Sequence, residues 1–152
     1  MILYKQTQYG KLITVVLSIV LLLTISIFIF KTETSSISWY IVTFISILFL
    51  FALLSFYKLT ITITKKTIIA KFGIGIIKQQ LNIKDINFAS IEKIKVPALY
   101  GIGIRLTPHG WLYNVSIGHA IKIKSNTKTF FVGTEDFEKI NTILSSLKTE
   151  KL

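Results

Sequence analysis

Histidine, carboxylate and thiolate side chains carry most metal and acid–base chemistry, and this sequence is sparing with all three. Its only histidines, His109 and His119, have no clustered acidic pair beside them, and cysteine is absent. A metal site needs about three protein ligands even when catalytic, so both read as surface histidines. After residue 57 the acidic residues are Asp85, Glu92, Glu135, Asp136, Glu138 and Glu150. Glu135, Asp136 and Glu138 open a helical pattern, where capping and the helix dipole account for them. Gly101-Ile102-Gly103 lacks the third glycine of a dinucleotide loop, and a strand pattern continues where a helix should begin. No serine sits in a nucleophile elbow, and the sequon Asn114-Val115-Ser116 falls in an expected cytoplasmic strand. The expectation is a non-enzymatic chain with no catalytic residue, no metal and no cofactor.

Lysine is the remaining chemical signal. Residues 58–152 hold 15 basic and 6 acidic side chains, which is +9 of the chain's net +11. A single arginine and the lack of a recognition motif argue against nucleic acid. Anionic lipid headgroups are the simpler partner, because each lysine near such a surface gains about 1 kcal/mol. Lys58, Lys65 and Lys66 are the candidate lipid contacts, although lysines also serve simply to solvate a surface.

What would hold those lysines near lipid is the stretch 12–57. Two uncharged apolar runs, 12–30 and 37–57, are separated by a six-residue bridge. At about 1.5 Å per residue they reach roughly 28 and 31 Å, close to the ~30 Å hydrocarbon core. They are expected to form a transmembrane helical hairpin. The first run exceeds the ~7–15 apolar residues of a secretory signal, has no Ala-x-Ala-like site after it, and is followed at once by the second. Lys5 and Lys11 before the first run and Lys58, Lys65 and Lys66 after the second outweigh a bridge in which Lys31 and Glu33 cancel. The positive-inside tendency therefore puts both termini in the cytoplasm of a multi-pass cell-membrane protein. Trp39 and Tyr40 suit the outer interface and Tyr57 the inner one. Residues 1–11 read as a cytoplasmic leader with no domain capacity, anchored through Tyr4 and Tyr9.

From residue 58 the pattern changes to alternation. Leu59, Ile61 and Ile63 interleave with Thr60, Thr62 and Thr64, the period-2 signature of a half-buried strand, and residues 67–72 repeat it after a Lys65-Lys66 turn. Gly73 and Gly75 mark a bulge or sharp bend. Further strands are expected at 75–83, 88–96, 102–107, 111–115, 120–124 and 129–133. Pro108 and Gly110 give 107–110 a type I turn composition. A tight turn there pairs Leu106 with Trp111, Ile104 with Tyr113 and Ile102 with Val115, and these six are expected in the core. Arg105, Leu112 and Asn114 then share the opposite face, and Arg105 and Asn114 form the candidate partner face; a one-residue slip would exchange the faces. Thr134 is a helix N-cap candidate, and Phe137, Ile140, Leu144 and Leu147 follow at helical spacing. Residues 58–152 thus read as one small α+β domain.

At Gly101-Ile102-Gly103-Ile104-Arg105, Gly110-Trp111-Leu112-Tyr113-Asn114 and Gly133-Thr134-Glu135-Asp136 the chain resembles bacterial membrane proteins with a pleckstrin-homology-like domain. The resemblance covers roughly residues 58–148. It implies a curved barrel of about seven strands with a C-terminal capping helix, following a transmembrane hairpin, and it implies no known activity. Ile117 separates Ser116 from Gly118, where similar sequences often have the glycine directly after the serine. The expected function is a membrane-anchored interaction or scaffold module at the inner leaflet, binding a protein partner, anionic lipid headgroups or both. The alternative is an accessory subunit of a larger membrane enzyme or transporter.

Overall fold

The computed structural model describes residues 1–30, 38–126 and 128–149. In chain order the elements are β1 (Ile2–Tyr9), α1 (Lys11–Phe30), α2 (Trp39–Phe56), β2 (Lys58–Thr64), β3 (Thr67–Phe72), β4 (Lys78–Asn82), β5 (Glu92–Val96), β6 (Gly103–Thr107), β7 (Gly110–Asn114), β8 (Gly118–Lys124), β9 (Thr129–Gly133) and α3 (Phe137–Thr149). Short 3₁₀ turns at Ile83–Asp85, Phe88–Ser90 and Ala98–Tyr100 connect them. Residues 31–37, which hold the six-residue bridge with its cancelling pair Lys31 and Glu33, lie outside the described residues, as do residues 127 and 150–152.

The expected barrel is corrected to two sheets. One is four-stranded, β1-β2-β3-β4, and the other five-stranded, β5-β8-β9-β7-β6, with β7 and β9 parallel and every other pairing antiparallel. Where a barrel would run a backbone ladder from β4 to β9, a side chain intervenes: Gln79 Nε2 donates to the Thr129 carbonyl (2.9 Å) and Gln79 Oε1 accepts from the Phe131 amide (3.3 Å). On the opposite flank Gln8 Nε2 donates to the Gly133 carbonyl (2.9 Å). Two glutamines, one from each edge strand of the first sheet, thus bind it to β9 of the second while the sheets stay separate.

The expected leader is the strand β1. Its inward residues are polar, which hid it: Tyr4, Gln6 and Gln8 alternate toward the second sheet and α3. Tyr4 Oη donates to Asp136 Oδ2 (2.8 Å), Thr134 Oγ1 to Gln6 Oε1 (2.8 Å), and Gln8 reaches Gly133 as above. Burial and the Asp136 carboxylate push the Tyr4 hydroxyl well above the ordinary tyrosine value. On its other side β1 pairs with β2 from Ile2↔Thr64 to Tyr9↔Lys58. The two helices are therefore inserted between neighbouring strands of one sheet. The junction is tight, with the Gly10 amide donating to the Tyr57 carbonyl at 2.9 Å.

The expected pair of spans is also corrected. Among the described residues one helix, Trp39–Phe56, is long and apolar enough to cross a membrane by length and composition. Both helices are apolar on every side and exposed on most of them, as at Leu22, Ile29, Tyr40, Phe44 and Ile47.

The main core lies between the sheets and under α3. Leu59, Ile61, Ile63, Ile68, Ala70 and Phe72 face Val115, Ile121, Ile123, Phe130 and Val132, and α3 adds Ile140, Leu144 and Leu147. Thr134 does not begin this helix: its Oγ1 accepts from the Asp136 amide, and the Asp136 carbonyl takes the first helical bond, from Ile140. A smaller cluster, Val96, Leu112, Ala120 and Phe131, covers the other face of the second sheet.

The β6–β7 hairpin has the expected pairing, Leu106↔Trp111 and Ile104↔Tyr113. Its burial differs. Leu106 is 71% exposed and Trp111 54%, while Leu112 and Asn114 are at 0%. Of the six expected core residues Val115 is fully buried, and Ile104 and Tyr113 pack partly against the main core. The reason is that β7 lies between β6 and β9, with apolar layers on both faces, so alternation alone does not identify its buried side. Two outcomes follow for the full chain in detergent. Chemical denaturation should register Leu112→Ala as a loss of ~2–5 kcal/mol and Trp111→Ala as under ~1 kcal/mol; the reverse ranking would contradict the assigned face. For Tyr4, a raised folded-state pKa contributes stability that is present below the ordinary value of 10.0 and is lost as pH rises past it. Wild type should lose stability relative to Tyr4→Phe between neutral pH and strongly alkaline pH, and parallel pH curves for the two proteins would refute this.

Candidate functional site

The candidate site is built on the outer face of the first sheet, where helix and sheet meet. In β2 the pattern that buries Leu59, Ile61 and Ile63 turns Lys58, Thr60 and Thr62 outward. Pairing sets Thr7 opposite Thr60, Lys5 opposite Thr62, Lys71 opposite Thr60 and Lys78 opposite Lys71. A groove of about 370 Å³ runs over this face, lined by Lys5, Thr7, Lys58, Thr60, Thr62, Ile69 and Lys71 and closed at one end by the β3–β4 turn at residues 73–75. Strands β1–β4 contain four lysines and no Asp or Glu.

That turn is fixed to the end of α2. The Gly73 amide donates to the Lys58 carbonyl (2.8 Å) and the Ile74 amide to the Leu54 carbonyl (3.3 Å). Gly73 has φ +43°, and a Cβ there would collide with the Leu54 carbonyl oxygen, so both the conformation and the close approach require glycine. Ile74 and Ile76 stand exposed on the turn beside the helix end. Lys58 follows the α2 C-cap Tyr57 directly, and its ammonium lies 4.9 Å from the Tyr57 ring centroid. Its interaction with the Tyr57 side chain raises the Lys58 pKa from the ordinary lysine value.

Carboxylates are engaged elsewhere. Lys122 pairs with Glu92 (3.2 Å), Lys93 with Glu138 (3.2 Å) and Lys139 with Asp136 (3.7 Å), all on the second sheet and α3. None of these pairs involves Lys5, Lys58, Lys71 or Lys78. Opposite like charges such as Lys71 and Lys78 are mildly destabilising in a sheet, and an anion between them would relieve the repulsion.

Lys58 thus lies in the groove, but Lys65 and Lys66 do not. They form the β2–β3 turn, and with β2 running seven residues at about 3.3 Å each they sit roughly 20 Å from the helix junction. There they line a separate hollow with Asn82, Lys84 and Asp85. The expected partner face is divided as well. Arg105 is exposed, whereas Asn114 is buried, its Nδ2 donating to the Gly101 (3.0 Å) and Ser116 (3.2 Å) carbonyls. Its role is to hold the loop before β6 against the end of β7. Lys5, Lys71 and Lys78 escaped the sequence reading. Lys71 was legible from the alternation of Ile68, Ala70 and Phe72; Lys5 required reading β1 as a strand.

His109 sits in the β6–β7 turn with its ring edge-on to Phe131 at 6.2 Å, and His119 lies exposed on β8. Among the described residues no three His, Cys, Asp or Glu side chains are grouped to hold a metal ion. In comparisons with protein-family models, curated proteins and solved structures, nothing matches this chain.

Proposed function

We propose that this protein is a non-enzymatic interaction module anchored in the cell membrane, with α2 crossing the bilayer, α1 as its apolar companion, and the two-sheet domain resting on the cytoplasmic surface. The observation that carries this reading is the helix pair itself, whose large apolar side chains are exposed on nearly every side. A helix apolar all round is stable in lipid or inside a large protein core, and only 11% of the α2 window is buried. Trp39 and Tyr40 at one end and Tyr57 with Lys58 at the other suit the two interfaces. Neither helix contains an ionisable side chain beyond Lys11 at the start of α1 and Tyr40 near the start of α2, which argues against an ion path through them.

A second reading, an accessory subunit of a larger membrane enzyme or transporter, is favoured by the exposed Leu106–Trp111 pair at the free edge of the second sheet. Mild-detergent purification distinguishes the two: a stoichiometric membrane enzyme or transporter lost on Leu106→Ser plus Trp111→Ser supports the accessory reading. The membrane reading predicts that the chain stays in the pellet after alkaline carbonate extraction. It also predicts a topology, and the absence of cysteine makes the test clean. In intact cells an impermeant thiol reagent should label Ser35→Cys and leave Asn126→Cys unlabelled until the membrane is opened. Release by carbonate would remove the anchor, and labelling of Asn126→Cys alone would reverse the orientation.

A further inference from the structure

We propose that the groove on the outer face of β1–β3 binds the phosphate of an anionic phospholipid drawn from the adjoining leaflet, and selects it over zwitterionic lipid. This rests on the membrane reading and adds to it a ligand class and a site. Three observations carry it. The first is composition by face: Lys5, Lys58 and Lys71 converge on the groove, Lys78 flanks it, and none of the four strands supplies a carboxylate. A phosphate oxygen finds ammonium donors there and the hydroxyls of Thr60 and Thr62. Choline or ethanolamine would bring a cation to a face with no carboxylate to receive it. Discrimination therefore comes from the missing acid as much as from the lysines.

The second observation is height. Lys58 is one residue beyond the α2 C-cap, and the turn closing the groove bonds through the Ile74 amide to the Leu54 carbonyl of α2. The groove mouth therefore opens where the apolar helix ends, the level of the headgroup phosphates for a helix that crosses. Ile74 and Ile76, exposed on the same turn, are apolar where acyl chains begin. The third is that the cations furthest from the helices, Lys65 and Lys66, border a different hollow that also contains Asp85. They lie outside the site.

The test uses the full chain in bilayers containing spin-labelled phosphatidylglycerol or phosphatidylcholine, reading the fraction of each lipid that is motionally restricted. Wild type should prefer phosphatidylglycerol several-fold. Each groove lysine removed should lower the preference by up to about fivefold, since a lysine near an anionic surface contributes about 1 kcal/mol. Lys5→Gln plus Lys58→Gln plus Lys71→Gln should reduce it to near unity. Lys65→Gln plus Lys66→Gln should leave it intact, and Lys58→Arg plus Lys71→Arg should retain it. Single Lys71→Gln, at an exposed strand position, gives a partial loss even if the triple variant fails to fold. Equal restriction of both lipids by wild type, or a preference that survives the groove variants, overturns the proposal. So does a preference abolished by millimolar inorganic phosphate but not by chloride at equal ionic strength, which would make the occupant a free anion. A chain that fails to reconstitute and restricts neither lipid refutes the membrane reading itself, a result distinct from all of these.

Discussion

Everything in this molecule depends on one adjacency, the antiparallel pairing of β1 with β2 across the helical insertion. The strands are neighbours from Tyr9↔Lys58 outward, and the Gly10 amide bonded to the Tyr57 carbonyl closes the ladder where the chain turns into α1 and returns from α2. Gly10 has no room for a side chain, since a Cβ would come within 2.7 Å of Ile13 Cγ2 and 3.2 Å of Val115 Cβ. Helices and sheet are thus one continuous antiparallel ribbon, with β1 leading into α1 and α2 into β2. A tilt of the helices relative to the sheet must strain that junction and the Gly73–Leu54 contact beside it.

Charge is divided between the sheets. On the second, acid accompanies base: Glu92 takes the nearly buried Lys122, and Glu138 and Asp136 take Lys93 and Lys139. On the first, threonine and lysine alternate with the core and no acid intervenes. The net charge of +11 is therefore a poor guide to where a cationic surface is exposed. The informative quantity is the absence of carboxylate from one face, and it emerges only once the strand register is known.

The sequence disclosed the elements with clean periodicity. Residues 58–64 alternate without exception and residues 67–72 do so apart from the outward Ile69, and they are β2 and β3; 129–133 is β9; and α3 carries Ile140, Leu144 and Leu147 into the core. What it concealed has identifiable causes. β1 was hidden because its inward positions, Tyr4, Gln6 and Gln8, bond to the second sheet and α3 instead of packing as hydrocarbon. The buried side of β7 was hidden because apolar residues lie on both of its faces, Leu112 in the smaller cluster and Tyr113 partly against the main core, so the pairing at Leu106↔Trp111 was legible and its solvent exposure was not. The separation of the sheets was hidden because Gln79 replaces a backbone ladder with a side chain, which no periodicity records. Within the site Lys58 was legible from its place after the apolar run. Lys65 and Lys66, seven and eight residues beyond Lys58, are carried away by the length of β2.

The insertion also governs the order in which the chain assembles. β2, β3 and β4 form a local meander that can close as soon as they are synthesised, but β1, made first, must wait for a partner beyond residue 57. Bringing its end to that partner through an unstructured loop of this length would cost on the order of 3 kcal/mol of chain entropy. Packing α1 along α2 removes that cost, because it delivers Gly10 and Tyr57 to the same point before any strand hydrogen bond forms. The medium that pairs the helices therefore acts as a folding template for the sheet. Until then β1 remains an unpaired edge, and the polar inward residues that later bond to Gly133, Thr134 and Asp136 lessen its tendency to pair with another chain.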